Sequence, residues 1–296
     1  MSPEGFAFVG GGFERAAHLR DQPDALDALW PRARVLRVDV DFCALDDARL
    51  DAWPLGAALA ETRPAAALFL GLADSDACFA LEQSAKDAAT CDLRCAGMDW
   101  PHREAAMFDA ATGVLNWRKR SRHCGGCGIA VLPRQAGWST RCPSCGLESF
   151  PRSDPAMIVA VTSGDRLLLG RQARWPPGRW SLLAGFIEPG ESLAQAVVRE
   201  VFEEAGIRVS GVRFVADQPW PFPHSLMLGC VAAADADAPD PVVGDELEQA
   251  RWFSRAEVGD GLAASDAGKD GLPPPLAFSP RLSISRTLIE AWWSGR

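Results

Sequence analysis

Two stretches, Gly185-Phe-Ile-Glu-Pro-Gly-Glu191 and Arg199-Glu-Val-Phe-Glu-Glu-Ala-Gly-Ile207, carry the most information in this chain. They read as a short apolar strand at 181–184, a glycine-containing loop, a helix over 192–205 and a stop at Gly206, where a left-handed C-terminal residue is expected. On that helix Glu200, Glu203 and Glu204 are spaced i, i+3 and i+4, which gathers three carboxylates within about 100° of one face. Like charges so close repel, and a surface helix has little reason to accept them unless a cation sits among them. Hard oxygen donors with room for water suit Mg2+ or Mn2+. Val197, Val198, Val201 and Phe202 are expected on the other side against a sheet, and Arg199 is placed to hold Glu191 across the loop. A solvated acidic face with ordinary turn glycines explains three glutamates alone, but not the loop, the arginine and the carboxylates specified together.

An α/β pattern surrounds this motif. Strands are expected at 157–161 and 167–169, joined by a turn at 163–165, and at 212–216, 226–232 and 251–253. An amphipathic helix at 281–293 closes the chain, and 259–280, rich in Gly, Pro, Asp and Ser, reads as a long loop or lid. Residues 1–117 are rich in Ala, Leu and Asp and read as an α+β domain, with a buried strand at 65–70 and a helix at 77–89.

Between these parts lie Cys124-Gly-Gly-Cys127-Gly128 and Cys142-Pro-Ser-Cys145-Gly146. Two residues between thiolates form a turn that puts both sulfurs on one side of a metal, and the following glycine can take φ > 0. Four sulfurs complete a closed tetrahedron, so one structural Zn2+ per chain is expected. The remaining cysteines, Cys43, Cys78, Cys91, Cys95 and Cys230, show no metal spacing, and nine in all suit a reducing compartment better than a secreted disulfide framework. Residues 118–152 hold seven Arg or Lys against Glu148, a compact basic module in a chain of net charge −9. That overall charge argues against broad non-specific nucleic-acid binding but leaves room for a local basic patch. With 48% hydrophobic and 23% charged residues, wholesale disorder is excluded. No apolar run approaches the roughly 18 residues of a membrane span, and 1–12 lack signal-peptide character. A cytoplasmic location without membrane association is the expectation.

The string from Gly185 to Ile207 matches the Nudix box, G-x5-E-x7-R-E-U-x-E-E-x-G-U with U a bulky aliphatic, without a departure. Downstream, Gln218-Pro-Trp-Pro-Phe-Pro-His-Ser225 is expected as a stiff extended segment with Trp220 and Phe222 on one side. It resembles the S-Q-P-W-P-F-P-x-S signature of the NADH pyrophosphatases, the NudC-like Nudix branch, with Asp217 in place of the first Ser. The resemblance, over roughly 112–293, implies a zinc ribbon at 118–152 and a C-terminal Nudix α/β/α sandwich at 153–296, while the α+β N-terminal domain at 1–117 matches the family only in position and size.

It also implies roles. Cys124, Cys127, Cys142 and Cys145 resemble the Zn2+ ligands. Glu200, Glu203 and Glu204 resemble the catalytic and Mg2+ or Mn2+-binding carboxylates, with Glu246 a further ligand for which Asp245 and Glu248 compete. Gly185, Glu191 and Arg199 shape the loop. Phe186 and Phe150 look like base-stacking residues, Gln218, Trp220, Phe222 and Ser225 would contact the dinucleotide, and Ser285 falls where the family often has Ala near the nucleotide. The activity implied is hydrolysis of the pyrophosphate of NADH or NAD+ to reduced or oxidised NMN and AMP, with removal of NAD caps from RNA, by a homodimer. The alternatives are a Nudix hydrolase of ADP-ribose, dinucleoside polyphosphates or oxidised nucleoside triphosphates, and an inactive zinc-ribbon RNA-binding regulator.

Overall fold

The structure, a computed structural model, describes residues 6–84, 91–267 and 276–295. Two compact units are formed: one from Ala7–Ser153 with Pro221–His224, the other from the described parts of Met1–Phe6, Asp154–Trp220 and Ser225–Arg296. No helix among the described residues is long and apolar enough to cross a membrane.

In the N-terminal unit a four-stranded sheet has the order β1 (Phe13–Glu14), β3 (Leu68–Ala73), β4 (Asp76–Glu82), β2 (Arg34–Val38), with β2 and β4 parallel. Short helices α1 (Pro23–Leu29) and α2 (Gly56–Leu59) accompany it, and Trp30, Phe69 and Phe79 centre its core, Trp30 edge-on to Phe79 at 5.4 Å. The helix expected at 77–89 is not formed: 76–82 is a central strand, paired on both edges and buried on both faces. A strand buried on both faces shows no polar alternation, so its Ala-rich sequence mimics a helix. Residues 85–90 lie outside the described residues. Helices α3 (Leu93–Asp99), N-capped by Asp92, and α4 (His102–Arg120) follow.

The cysteine module is a small sheet of β5 (Leu132–Arg134), β6 (Ser139–Arg141) and β7 (Glu148–Ser149) beside the two knuckles. It is pinned to the N-terminal sheet by Trp138, whose Nε1 donates to the Phe69 carbonyl at 2.7 Å. The basic run at the end of α4 is divided in its duties. Arg118 donates to the Ala66 carbonyl and Lys119 to that of Val40, whereas Arg120 and Arg122 are exposed.

The second unit is built on β8 (Asp154–Ser163). β9 (Arg166–Arg171) and β10 (Leu183–Phe186) pair with it antiparallel, and β12 (Ser225–Ala233) lies parallel to it from Ser225↔Asp154 to Ala233↔Thr162. β11 (Ser210–Trp220) pairs with β12, and β13 (Gln249–Ser254) with β9. Met157, Val159 and Val161, alternate residues of β8, pack with Val197, Val201 and Ala205 of α5 (Leu193–Ala205). On the other face Gly229 of β12 leaves room for α7 (Ile284–Ser294), because a Cβ there would stand 2.8 Å from Ile284 Cδ1. The sheet therefore carries a helix on each side.

Three expectations need correction here. The loop expected at 259–280 is helical in its first part, α6 (Arg255–Ala267), which buries Val258 and Leu262; 268–275 lie outside the described residues. Arg286, 2% exposed, ties α6 to α7 through Asp266 and Glu290, both at 2.7 Å. The proline-spaced stretch is not one extended segment: Trp220 ends β11 by pairing with Ser225, and 221–224 form the turn. Proline cannot donate to a ladder, so the strand stops where the prolines crowd. On α5, Val198 and Phe202 are exposed, while Glu200 and Glu204 share the buried stripe with Val197 and Val201.

α5 begins with a capping box between Ser192 and Gln195 and ends at Gly206, φ 68°. A side chain in that left-handed conformation costs about 1–2 kcal/mol. Gly206→Ala is expected to lower stability by that amount, measured by urea unfolding of the full chain.

Candidate functional site

The glutamates of α5 are placed by a glycine and an arginine. At Gly185 on β10, a Cβ would lie 2.0 Å from Glu200 Cδ, so only glycine lets the Glu200 carboxylate lie against the strand. Arg199 is the hub of the loop. Its Nε donates to Glu191 Oε1 at 2.7 Å and its Nη2 to Glu191 Oε2 at 2.8 Å, while Nη2 also reaches the Phe186 carbonyl at 2.9 Å. Nη1 lies 2.9 Å from Glu200 Oε1 and donates to Glu203 Oε2 at 3.0 Å. Held by Arg199 and by the Glu188 N–H, the Glu191 carboxyl falls to about 2.

Glu204 is different. It is buried, and among the described residues its Oε2 has no hydrogen-bond partner and no ion pair reaches it. Burial, then the charges of Glu200, Glu246 and Glu203, push its carboxyl up to about 8. Burial also raises Glu200, partly offset by Arg199. Of the three acids competing on the 245–248 loop, Glu246 is the one whose charge bears on both Glu200 and Glu204. Glu248 is taken by an ion pair with Arg171. An orphaned, buried carboxylate oxygen under the charge of three other glutamates fits a divalent cation.

The four cysteines are the one group of three or more His, Cys, Asp or Glu among the described residues whose ligand atoms all lie within 4.8 Å of one another. Contacts of 3.5 Å for Cys124–Cys145, 3.4 Å for Cys127–Cys142 and 3.7 Å for Cys127–Cys145 approach the edge of a Zn–S4 tetrahedron, about 3.8 Å for 2.3 Å bonds. The Gly126 and Cys145 N–H groups donate to Cys124 and Cys142 sulfur, and Gly128 and Gly146 both have φ 75°. The Cys145 N–H is the main reason the Cys142 thiol falls to about 6. The donor set fits Zn2+.

The residues expected to touch a dinucleotide separate into two groups. Phe186, beside the box glycine, and Phe150, after β7, expose their rings. Trp220 and Ser225 are half-buried at the mouth of their hairpin. Phe222 lies edge-on to Phe8 at 6.3 Å and under Arg94 at 4.1 Å. Gln218 and Ser285, by contrast, are buried at 0% and 2% and face the protein interior. Gln218 donates to the Leu282 carbonyl and accepts from Ile284 N, each at 2.7 Å, which holds the start of α7. The Ser285 hydroxyl bonds that of Ser181 at 2.8 Å, which accounts for a hydroxyl at this position. Sequence reasoning missed Arg286, because a buried arginine in an amphipathic helix has no local signature.

The NUDIX domain family matches residues 152–272, and the NADH pyrophosphatase zinc ribbon domain matches 119–150. An NAD-capped RNA hydrolase NudC of Mycobacterium bovis is 40% identical over 293 residues, spanning 95% of this chain and 92% of the relative. An NAD-capped RNA hydrolase of Schizosaccharomyces pombe is 44% identical over 199 residues, 62% of this chain and 52% of that protein. Among solved structures, a Nudix hydrolase from Nitrosomonas europaea aligns with a TM-score of 0.41 at 24% identity, over 53% of this chain and 97% of the other. With a box helix on a mixed sheet and a four-cysteine ribbon, the chain has the parts of a ribbon-bearing Nudix hydrolase. It belongs to the NADH pyrophosphatase, or NudC, family of Nudix hydrolases.

Two substitutions test this geometry. Gly185→Ala should displace Glu200 and cut metal-dependent hydrolysis by about 10² or more, as loss of a metal-positioning group does, read as kcat at saturating metal. Gln218→Leu should leave the buried Ile284 N–H unanswered and lower stability by about 1–3 kcal/mol in urea unfolding.

Proposed function

We propose that this chain hydrolyses the pyrophosphate bond of NADH and NAD+, giving reduced or oxidised NMN and AMP, and removes NAD caps from RNA 5′ ends. The observation that carries the reading is the orphaned, buried Glu204 Oε2 among Glu200, Glu203 and Glu246. The names of the NudC relatives support the substrate. Glu200, Glu203, Glu204 and Glu246 would hold Mg2+ or Mn2+, which would supply charge neutralisation for the pyrophosphate and acidify water.

The protein's own residues do the rest. Arg199 and Glu191 hold the loop rigid, so the carboxylates keep one geometry as substrate arrives. Glu204 or Glu203 orients the attacking water and takes its proton on a carboxylate oxygen. Phe186 offers a flat apolar ring to a base, with Trp220 and Ser225 contributing at the hairpin. Cys124, Cys127, Cys142 and Cys145 hold one Zn2+, whose closed shell makes it structural. A cytoplasmic homodimer completes the reading; reduced thiolates suit that compartment.

The test uses the purified full chain. After EDTA treatment, added Mg2+ or Mn2+ should restore NADH hydrolysis while about one zinc per chain remains by metal analysis. Glu204→Gln should lower kcat by about 10² or more with folding preserved. Faster kcat/KM on ADP-ribose or 8-oxo-dGTP than on NADH would overturn the substrate assignment, and absence of tightly bound zinc would overturn the ribbon assignment.

A further inference from the structure

Two arginines of the N-terminal unit share one aromatic ring. The guanidinium carbon of Arg20 lies 4.1 Å, and that of Arg15 5.6 Å, from the centroid of Trp138. Arg15 also lies 4.6 Å over Phe13. Trp138 is anchored by its bond to the Phe69 carbonyl, so the platform is fixed. Neither guanidinium makes a hydrogen bond or ion pair among the described residues, and Arg20 Nε is buried without a partner. Burial lowers both arginines, and the charge of Arg15 lowers Arg20 further. Asp109 on α4 acts on Arg15 in the opposite sense, and burial raises its own carboxyl to about 7.

Each guanidinium presents five N–H donors, stays charged and stacks on rings, and its planar fork matches two oxygens of a phosphate. Packing two of them on one ring, Arg20 half-buried and Arg15 exposed beside it, leaves donors and positive charge that an anion would answer. Three buried or half-buried arginines are answered by acids instead. Arg37 has Asp46, Arg103 has Asp74 and Glu104, and Arg286 has Asp266 and Glu290.

We propose that Arg15 and Arg20, on the Trp138 platform, form a binding site for a phosphate group that uses none of the box residues. That group is supplied either by the phosphodiester chain of a single-stranded RNA or by free inorganic phosphate.

The test uses the zinc-containing full chain, Arg15→Gln, Arg20→Gln and the conservative Arg15→Lys and Arg20→Lys. Thermal unfolding is recorded in inorganic phosphate and in chloride of equal ionic strength. Binding of an uncapped 12-nucleotide RNA is measured against salt. Phosphate should raise the wild-type Tm, and the Gln variants should lose that rise while keeping the wild-type Tm in chloride. The Lys variants, which keep charge but lose the fork, should fall between. If RNA supplies the phosphate, each Gln variant also weakens RNA binding and flattens its log–log salt slope by about 0.7. If inorganic phosphate is the ligand, the Tm effect is lost with RNA binding unchanged. Activity on NADH is unchanged in either case; an inactive wild type would reject the proposed function and leave this comparison intact. The site is overturned if the wild type shows no phosphate-dependent rise in Tm and the variants bind RNA as it does. It is also overturned if the variants lose Tm in chloride while their phosphate and RNA responses persist, the behaviour of arginines that only stack.

Discussion

A carboxylate taken out of water must be answered by a donor or a cation, or its burial opposes folding. The catalytic unit is arranged around that constraint. Glu200 and Glu204 occupy the same side of α5 as Val197 and Val201, the side the sheet covers. Arg199 answers Glu200 and Glu203 while locking Glu191 and the Phe186 carbonyl, so loop and helix become one rigid body. Glu204 is left unanswered, and the strand beneath gives up a side chain at Gly185 to make space. The motif is therefore a packing solution as much as a set of ligands: glycine for volume, arginine for order, and Glu204 for a charge that Arg199 does not balance.

The N-terminal unit meets a different constraint. A cysteine module of about thirty residues buries too little apolar surface to stand alone, so a metal and a neighbour must supply what a core does not. The four sulfurs already sit at nearly tetrahedral separations, and Trp138 fastens the module to β3 by a partly buried bond to the Phe69 carbonyl. Arg118 and Lys119 reinforce the attachment through backbone carbonyls, which use their donors without cancelling their charge.

Much of this was readable beforehand, and the failures have physical causes. The helix from Ser192 to Gly206, the knuckles and most strands of the second unit were legible because caps, glycines and apolar runs are local signals. The strand at 76–82 was not, since a central strand hides its period, and α6 was not, since its glycines and aspartates dilute its few apolar positions. The carboxylates were found by spacing, yet their side of the helix was misjudged: hydrophobicity alone groups Val198 and Phe202 with the core, while close approach at Gly185 draws Glu200 inward. Gln218 and Ser285 came in through the family resemblance, and it is their internal partners that the sequence could not show. Their partners are hydrogen-bonding groups on segments more than sixty residues away, which no local pattern reveals.

The pairing of β8 with β12 bears on how the chain is made. Asp154 meets Ser225 only after about 70 further residues have left the ribosome, roughly 4–14 s at ordinary elongation rates. During that interval the central strand has an open parallel edge of apolar residues, Met157 to Val161, while the strands of the N-terminal sheet and the cysteine module are already synthesised. Nascent chains stalled between β8 and β12 would therefore be the species that depends most on chaperones, and slow codons after β12 would be tolerated better than slow codons before it.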